Sequence, residues 1–202
     1  MRIFKSLKNH KGFTLVELAI VLVIIGIILG AVLKGQELIN SAKIKRAYNQ
    51  QREIVAAVYS YYDKYGKFPG DDNTAATRGG VWAGTANGNG DGMLGGAFQY
   101  NCAVGSAQES CVVWQHLRLS NIISGSGRTN PQHAFGGAIS VAYVNAGAPV
   151  GAANWISFQN VPRDVAQIID TQYDDGVWNT GSIQGSADYT IAGAPILLYS
   201  RL

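Results

Sequence analysis

Charge is scarce in this 202-residue chain. Only 14% of its residues are Asp, Glu, Lys or Arg, against roughly 25% in an average soluble domain. That excludes disorder driven by charge, a coiled-coil rod along the whole length, and a nucleic-acid binder built on a large basic surface. Proline is sparse as well, five residues against 25 glycines, and the glycines keep no triplet period, which excludes collagen. Familiar catalytic signatures are missing: no G-x-S-x-G, P-loop, H-E-x-x-H or paired-cysteine zinc pattern occurs. Gly90 to Gly95 spells G-x-G-x-x-G, but it lacks the strand before and the helix after that make those letters a dinucleotide fingerprint. His10, His116 and His133 fall in no ligand spacing.

What charge there is lies unevenly. Arg2, Lys5, Lys8 and Lys11 precede any carboxylate, and without them the chain has twelve basic residues against thirteen acidic ones. The formal +3 therefore belongs to a leader. Phe13–Leu33 (FTLVELAIVLVIIGIILGAVL) follows, with no polar side chain between Leu18 and Leu33. As a helix this stretch is ~31 Å long, the thickness of a bilayer's hydrocarbon core. The basic flank predicts a cytoplasmic N-terminus and export of the remainder. No A-x-A-like cleavage site follows Leu33, where Lys34-Gly35-Gln36-Glu37 stands, so the apolar stretch is expected to be retained. Glu17 is out of place there. A carboxylate at mid-bilayer costs at least ~2.5 kcal/mol and calls for a partner or a task. A cut between Gly12 and Phe13 would supply the partner, a new α-ammonium at Phe13, paired with Glu17 between neighbouring subunits.

Lys11-Gly12-Phe13-Thr14-Leu15-Val16-Glu17, preceded by a short basic leader and followed by the apolar run, resembles the class III signal of type IV pilins and type II secretion pseudopilins. The resemblance covers about the first 35 residues. It implies cleavage after Gly12 by a prepilin peptidase, methylation of the new N-terminal Phe13, and a role for Glu17 in assembly. Many family members carry a proline where this chain has Lys34; Gly26 and Gly30 are the residues that could loosen the helix instead. Tyr65 to Asp72 also resembles the stretch that closes the long helix in pilin-like proteins. So does Asp170-x-x-x-Asp174-Asp175-Gly176 with Gly181-Ser182.

Length predicts one folded domain plus an appendage, divided as a leader at 1–12, a membrane and assembly helix at 13–33, its amphipathic continuation at 34–65 and a loop-rich domain at 66–202. Leu38, Ile44, Val55, Val58, Tyr62 and Tyr65 define the expected apolar stripe, and Gly66 with Pro69 ends the helix. Further helices are expected at 112–123 and 162–172, and strands at 138–144, 155–158 and 195–199. The fold class is α+β, a long helix packed on a small antiparallel sheet.

Cys102 and Cys111 read as a disulfide in an oxidising compartment, or as two partly buried thiols. Asn87-Gly88-Asn89-Gly90-Asp91-Gly92-Met93 imitates the first half of an EF-hand loop. Phe98 stands where the bidentate glutamate belongs. Calcium would need a carboxylate from Asp71, Asp72 or Glu109; otherwise the segment is a Gly/Asn turn. Asp170, Asp174, Asp175 and Asp188 form a second oxygen group or, more ordinarily, Asx-turns. The basic residues Lys34, Lys43, Lys45, Arg46 and Arg52 suit lipid headgroups and solvent better than DNA, since no aromatics alternate with them. Trp82, Trp114, Trp155 and Trp178 read as core and subunit-contact residues rather than a sugar platform.

The expected function is that of a non-enzymatic filament subunit held in the bacterial inner membrane before assembly, then periplasmic or extracellular. The alternatives are a secretion pseudopilin and a membrane-anchored adhesin or minor pilin.

Overall fold

The computed structural model describes residues 12–102, 106–144 and 151–202; the leader as far as Lys11, with His10, lies outside them. Helix α1 runs from Leu15 to Tyr65, 51 residues, or ~76 Å at the α-helical rise. It ends where expected. Gly66 takes a left-handed φ of 71°, and its N–H closes on the Tyr62 carbonyl at 2.7 Å, a stop that suits a residue without a Cβ. The chain divides into two compact units, residues 1–42 and 43–202.

In the first unit every side chain from Phe13 to Leu33 is exposed, with Leu15 at 84%. In the second unit α1 is amphipathic. Ile44, Ala47, Ile54, Ala57, Val58 and Tyr61 are buried, and Tyr48, Val55 and Tyr65 pack beside them. The expected stripe is corrected at two places, since Leu38 and Tyr62 are exposed. The 3.6-residue period carries the buried line through Ile54, Val58 and Tyr61, which leaves Tyr62 on the flank. Burial of Tyr61 is acceptable because its hydroxyl donates to the Asp72 carboxylate at 2.7 Å.

The second unit also holds α2 (Glu109–Leu119), α3 (Arg163–Tyr173) and four strands: β1 (Ile139–Val144), β2 (Ala153–Val161), β3 (Ile183–Gly185) and β4 (Ile196–Arg201). The sheet is antiparallel in the order β1-β2-β4-β3. Ile139, Val141, Ile156, Phe158 and Leu198 lie on its core face with Val58, Trp114 and Leu117. The other face is covered too, which is why buried serines stand beside apolar residues along the strands. Tyr100 shares a 2.6 Å hydroxyl hydrogen bond with Ser157, the Gln99 N–H donates to Ser140, and Phe98 packs on Trp155 and Tyr199. A bulge between Phe158 and Val161, with Asn160 at φ 58°, bends β2 at its end.

α2 starts three residues before its expected beginning and stops at Leu119. Pro162 sits just ahead of α3, at its cap, rather than in its first turn. The three-residue β3 has no counterpart among the expected strands, being too short to show any alternation. Cys102 and Cys111 are joined, their Cα atoms 5.4 Å apart. The disulfide ties the segment covering the sheet to the first turn of α2.

Candidate functional site

The candidate site is the start of α1. Gly12, Phe13 and Thr14 are exposed and precede the helix, which begins at Leu15. Glu17 is anchored to that start. Its Oε2 accepts from the Thr14 N–H and the Thr14 hydroxyl, each at 2.8 Å, and its own N–H donates to Thr14 Oγ1 at 3.3 Å. This is a reciprocal capping box, T-x-x-E. It satisfies donors that the helix itself leaves open. The T-x-x-E spacing of this box is visible in the sequence itself, Thr14-Leu15-Val16-Glu17. Among the described residues no donor reaches Oε1. One oxygen is thus fixed by the helix start and the other is open to a further partner, one turn from Phe13 on an apolar surface that no described residue covers.

The other candidate residues lie in the second unit. Asp71 and Glu109 do meet the loop 87–95, but as acceptors for its backbone. Asp71 Oδ1 takes the N–H groups of Gly90 (2.6 Å) and Asp91 (3.1 Å), and Oδ2 that of Gly92 (2.9 Å). Glu109 takes those of Asn89 and Gly95. Asn87 Oδ1 accepts from Ala76 N–H, Asn89 Oδ1 from Asp91 N–H and Asp91 Oδ1 from Met93 N–H. Gly88 lies flat on residues 70 and 71, where a Cβ would strike backbone atoms. The loop is thereby wrapped around two carboxylates of its own chain. Burial raises the Glu109 carboxyl above its ordinary range, partly offset by those N–H donors.

Asp72 faces away from that loop into a separate knot. Buried completely, it takes the Tyr61 hydroxyl, the N–H and hydroxyl of Thr74, and an ion pair with Arg78. These bonds overcome its burial and hold its pKa down at about 2. Arg78 lies over the rings of Tyr65 (4.1 Å) and Trp82 (4.8 Å). His116 stacks on Tyr61, accepts from Gly70 N–H at Nδ1 and meets the Ala86 carbonyl through Nε2. Desolvation pushes its pKa down to about 4, so the ring is neutral at physiological pH. His133 is buried against Phe158, its Nε2 on the Gln159 carbonyl. Both histidines hold structure together.

Among the described residues, the carboxylate group whose oxygens converge within 4.8 Å is Asp170, Asp174 and Asp175. Asp188 is not in it; its Oδ1 caps Thr190. Asp170 accepts from Gly176 N–H and the Tyr189 hydroxyl, Asp174 from Ile183 N–H, and Asp175 from Val177 N–H and the Thr180 hydroxyl. The bonds from Gly176, Val177 and Thr180 cap the turn that follows α3, and those from Ile183 and Tyr189 reach in from farther along the chain. Of the basic residues on α1, Lys34 pairs with Glu37 and Arg46 with Glu53, all at the surface.

Comparison with known proteins bears on the same place. Residues 7–33 match a family model described as the prokaryotic N-terminal methylation motif. That stretch includes Gly12, Phe13, Glu17 and the apolar half-helix, and the match supports the type IV pilin and pseudopilin family. No curated protein and no solved structure matches the chain.

Proposed function

From a chain that carries the class III prepilin signal at residues 7–33, we propose a structural subunit of a type IV pilus-like filament, cut between Gly12 and Phe13 by a prepilin peptidase. Before assembly, Phe13–Leu33 rests in the inner membrane with the N-terminus in the cytoplasm. Afterwards it packs with its counterparts in the filament core, exchanging lipid for side-chain contacts. The observation that carries this reading is the pairing of an uncovered, bilayer-length apolar helix with a carboxylate fixed at its first turn by Thr14.

Cleavage turns the Phe13 amide nitrogen into an ammonium. Pairing that ammonium with Glu17 Oε1 of a neighbouring subunit neutralises both charges in an apolar surrounding and sets the axial register. Neither step needs a catalytic group from this chain; its part in both is structural.

The test uses the full chain co-expressed with a prepilin peptidase. Glu17→Ala is expected to be processed normally and to yield no filaments by electron microscopy. Filaments at wild-type yield would refute the role of Glu17. The same signal serves pseudopilins, so a deletion strain separates the two: lost surface filaments support the pilus reading, and lost protein secretion with surface filaments intact supports a secretion piston.

A further inference from the structure

Asn-Gly occurs twice in the loop that wraps Asp71 and Glu109, as Asn87-Gly88 and Asn89-Gly90. In such a pair the glycine nitrogen can attack the side-chain carbonyl of the asparagine, because no Cβ on the glycine obstructs ring closure. The fold treats the two pairs differently. Asn87 Oδ1 is drawn away to the Ala76 N–H at 2.8 Å, and the Gly88 N–H donates to the main-chain carbonyl of Asp72 at 3.0 Å. An amide carbonyl is no base. Gly88 is also pressed on the backbone of residues 70 and 71, which leaves no room for a ring.

Asn89-Gly90 has what the first pair lacks. Both residues are exposed, and Gly90 is left-handed at φ 81°. The Gly90 N–H donates at 2.6 Å to Oδ1 of Asp71, a buried carboxylate. Asn89 Oδ1 accepts from the Asp91 N–H at 3.0 Å, a donor shared with Asp71 at 3.1 Å. This Asx turn curls the side-chain amide back over the Gly90 peptide. The Asn89 main chain is held in turn, its N–H donating to Glu109 Oε1 at 2.8 Å. Nucleophile, base and a donor at the carbonyl oxygen therefore meet on one short segment, ordered before any reaction begins.

We propose that Asn89 is a site of self-catalysed deamidation through a succinimide. Asp71 Oδ1 takes the Gly90 amide proton as the Gly90 nitrogen bonds to Asn89 Cγ. Negative charge passes to Asn89 Oδ1, where the Asp91 N–H meets it. As the carbonyl re-forms, the Cγ–Nδ2 bond breaks, and Nδ2 leaves as ammonia with the proton returned from Asp71. Water then opens the imide. Opening at Cγ gives an aspartate at position 89, and opening at the Asn89 main-chain carbonyl gives an isoaspartate. Either product adds a carboxylate beside Asp91 in place of the amide that now donates to Asp91 Oδ2 at 2.9 Å. The loop tip gains a negative charge and loses a hydrogen bond. The step is independent of the filament reading.

The test compares the full chain folded in detergent with the same chain unfolded in guanidinium chloride, at one pH and temperature. Peptide mass spectrometry follows the exchange of ammonia for water at each asparagine. The folded chain is expected to react at Asn89 about tenfold faster than the unfolded chain, or more. A positioned base supplies ~10²–10⁴-fold when its pKa is near the working pH, and a carboxylate is a weaker one. Asn87 is expected to react more slowly folded than unfolded. Asp71→Asn should bring the Asn89 rate down to that of the unfolded chain or below; the wild-type comparison decides even where this variant fails to fold. A folded-to-unfolded ratio short of tenfold at Asn89 would overturn the proposal. So would an Asn87 rate equal to that of Asn89 in the folded chain, or a folded Asp71→Asn variant that reacts as fast as the wild type.

Discussion

The two halves of α1 share one secondary structure and have opposite obligations. From Phe13 to Leu33 no side chain is covered; from Ile44 to Tyr61 a stripe is buried in the domain's core. The contrast teaches that backbone geometry does not decide where a helix belongs. An α-helix satisfies its own peptide groups, so it is equally at home in lipid and in water. Side chains make the choice. Among the described residues the first half has no partner, which fits a helix matched by acyl chains or by other copies. The second half is already matched by Trp114, Leu117, Ile139 and Ile156.

If the second unit is self-sufficient, lesions there should lower its stability and leave processing at Gly12 untouched. The largest effect is expected from Asp72→Ala, which leaves Arg78 without its carboxylate and Tyr61 and Thr74 without their acceptor. Breaking such a buried pair costs about 3–5 kcal/mol, to be read from denaturant unfolding of the full chain in detergent. Normal stability in this variant would break the comparison.

Acid comes next. His116 is neutral in the folded chain, with its pKa pushed down to about 4 from 6.5. Between those values the unfolded chain binds more protons than the folded one, so stability rises with pH from about 4 to 6.5 and is lost as pH falls. The full span is worth about 3 kcal/mol. His116→Asn should flatten that part of the pH profile, and an unchanged slope would assign it elsewhere.

Replacing Cys102 and Cys111 together by serine should cost about 2–3 kcal/mol, the loop-closure value for a short disulfide. Thermal melting under non-reducing conditions measures it, and processing should continue as before. The smallest effect is expected from calcium. Asp71 and Glu109 are already ringed by loop N–H groups, so melting in calcium and in EGTA should coincide. A clear upward shift with calcium would show that the loop turns its oxygens to a cation.

How far the sequence could be read follows from range. The apolar run, the helix stop at Gly66 and the longer strands are local patterns, and they appear within three residues of their expected places. The Thr14–Glu17 box is equally local, so Glu17 has a capping role as well as an ionic one. The exchange of Tyr62 for Tyr61 in the core is a one-residue difference of phase, and a 3.6-residue period with a narrow stripe turns that into burial for one and exposure for the other. What was out of reach was long-range pairing. Asp71 and Glu109 are legible as partners of the 87–93 loop only by way of a shared cation; nothing nearby tells that the N–H groups of residues 90–92 close directly on Asp71, or that His116 accepts from Gly70, 46 positions away. β3 exists only because β4 offers it an edge.

Intact-mass spectrometry of the chain recovered from cells containing a prepilin peptidase tests the central claim most directly. The account predicts a polypeptide that begins at Phe13, with one added methyl group on its amine. A chain that still begins at Met1 in those cells would leave Glu17 without its cation and contradict the account.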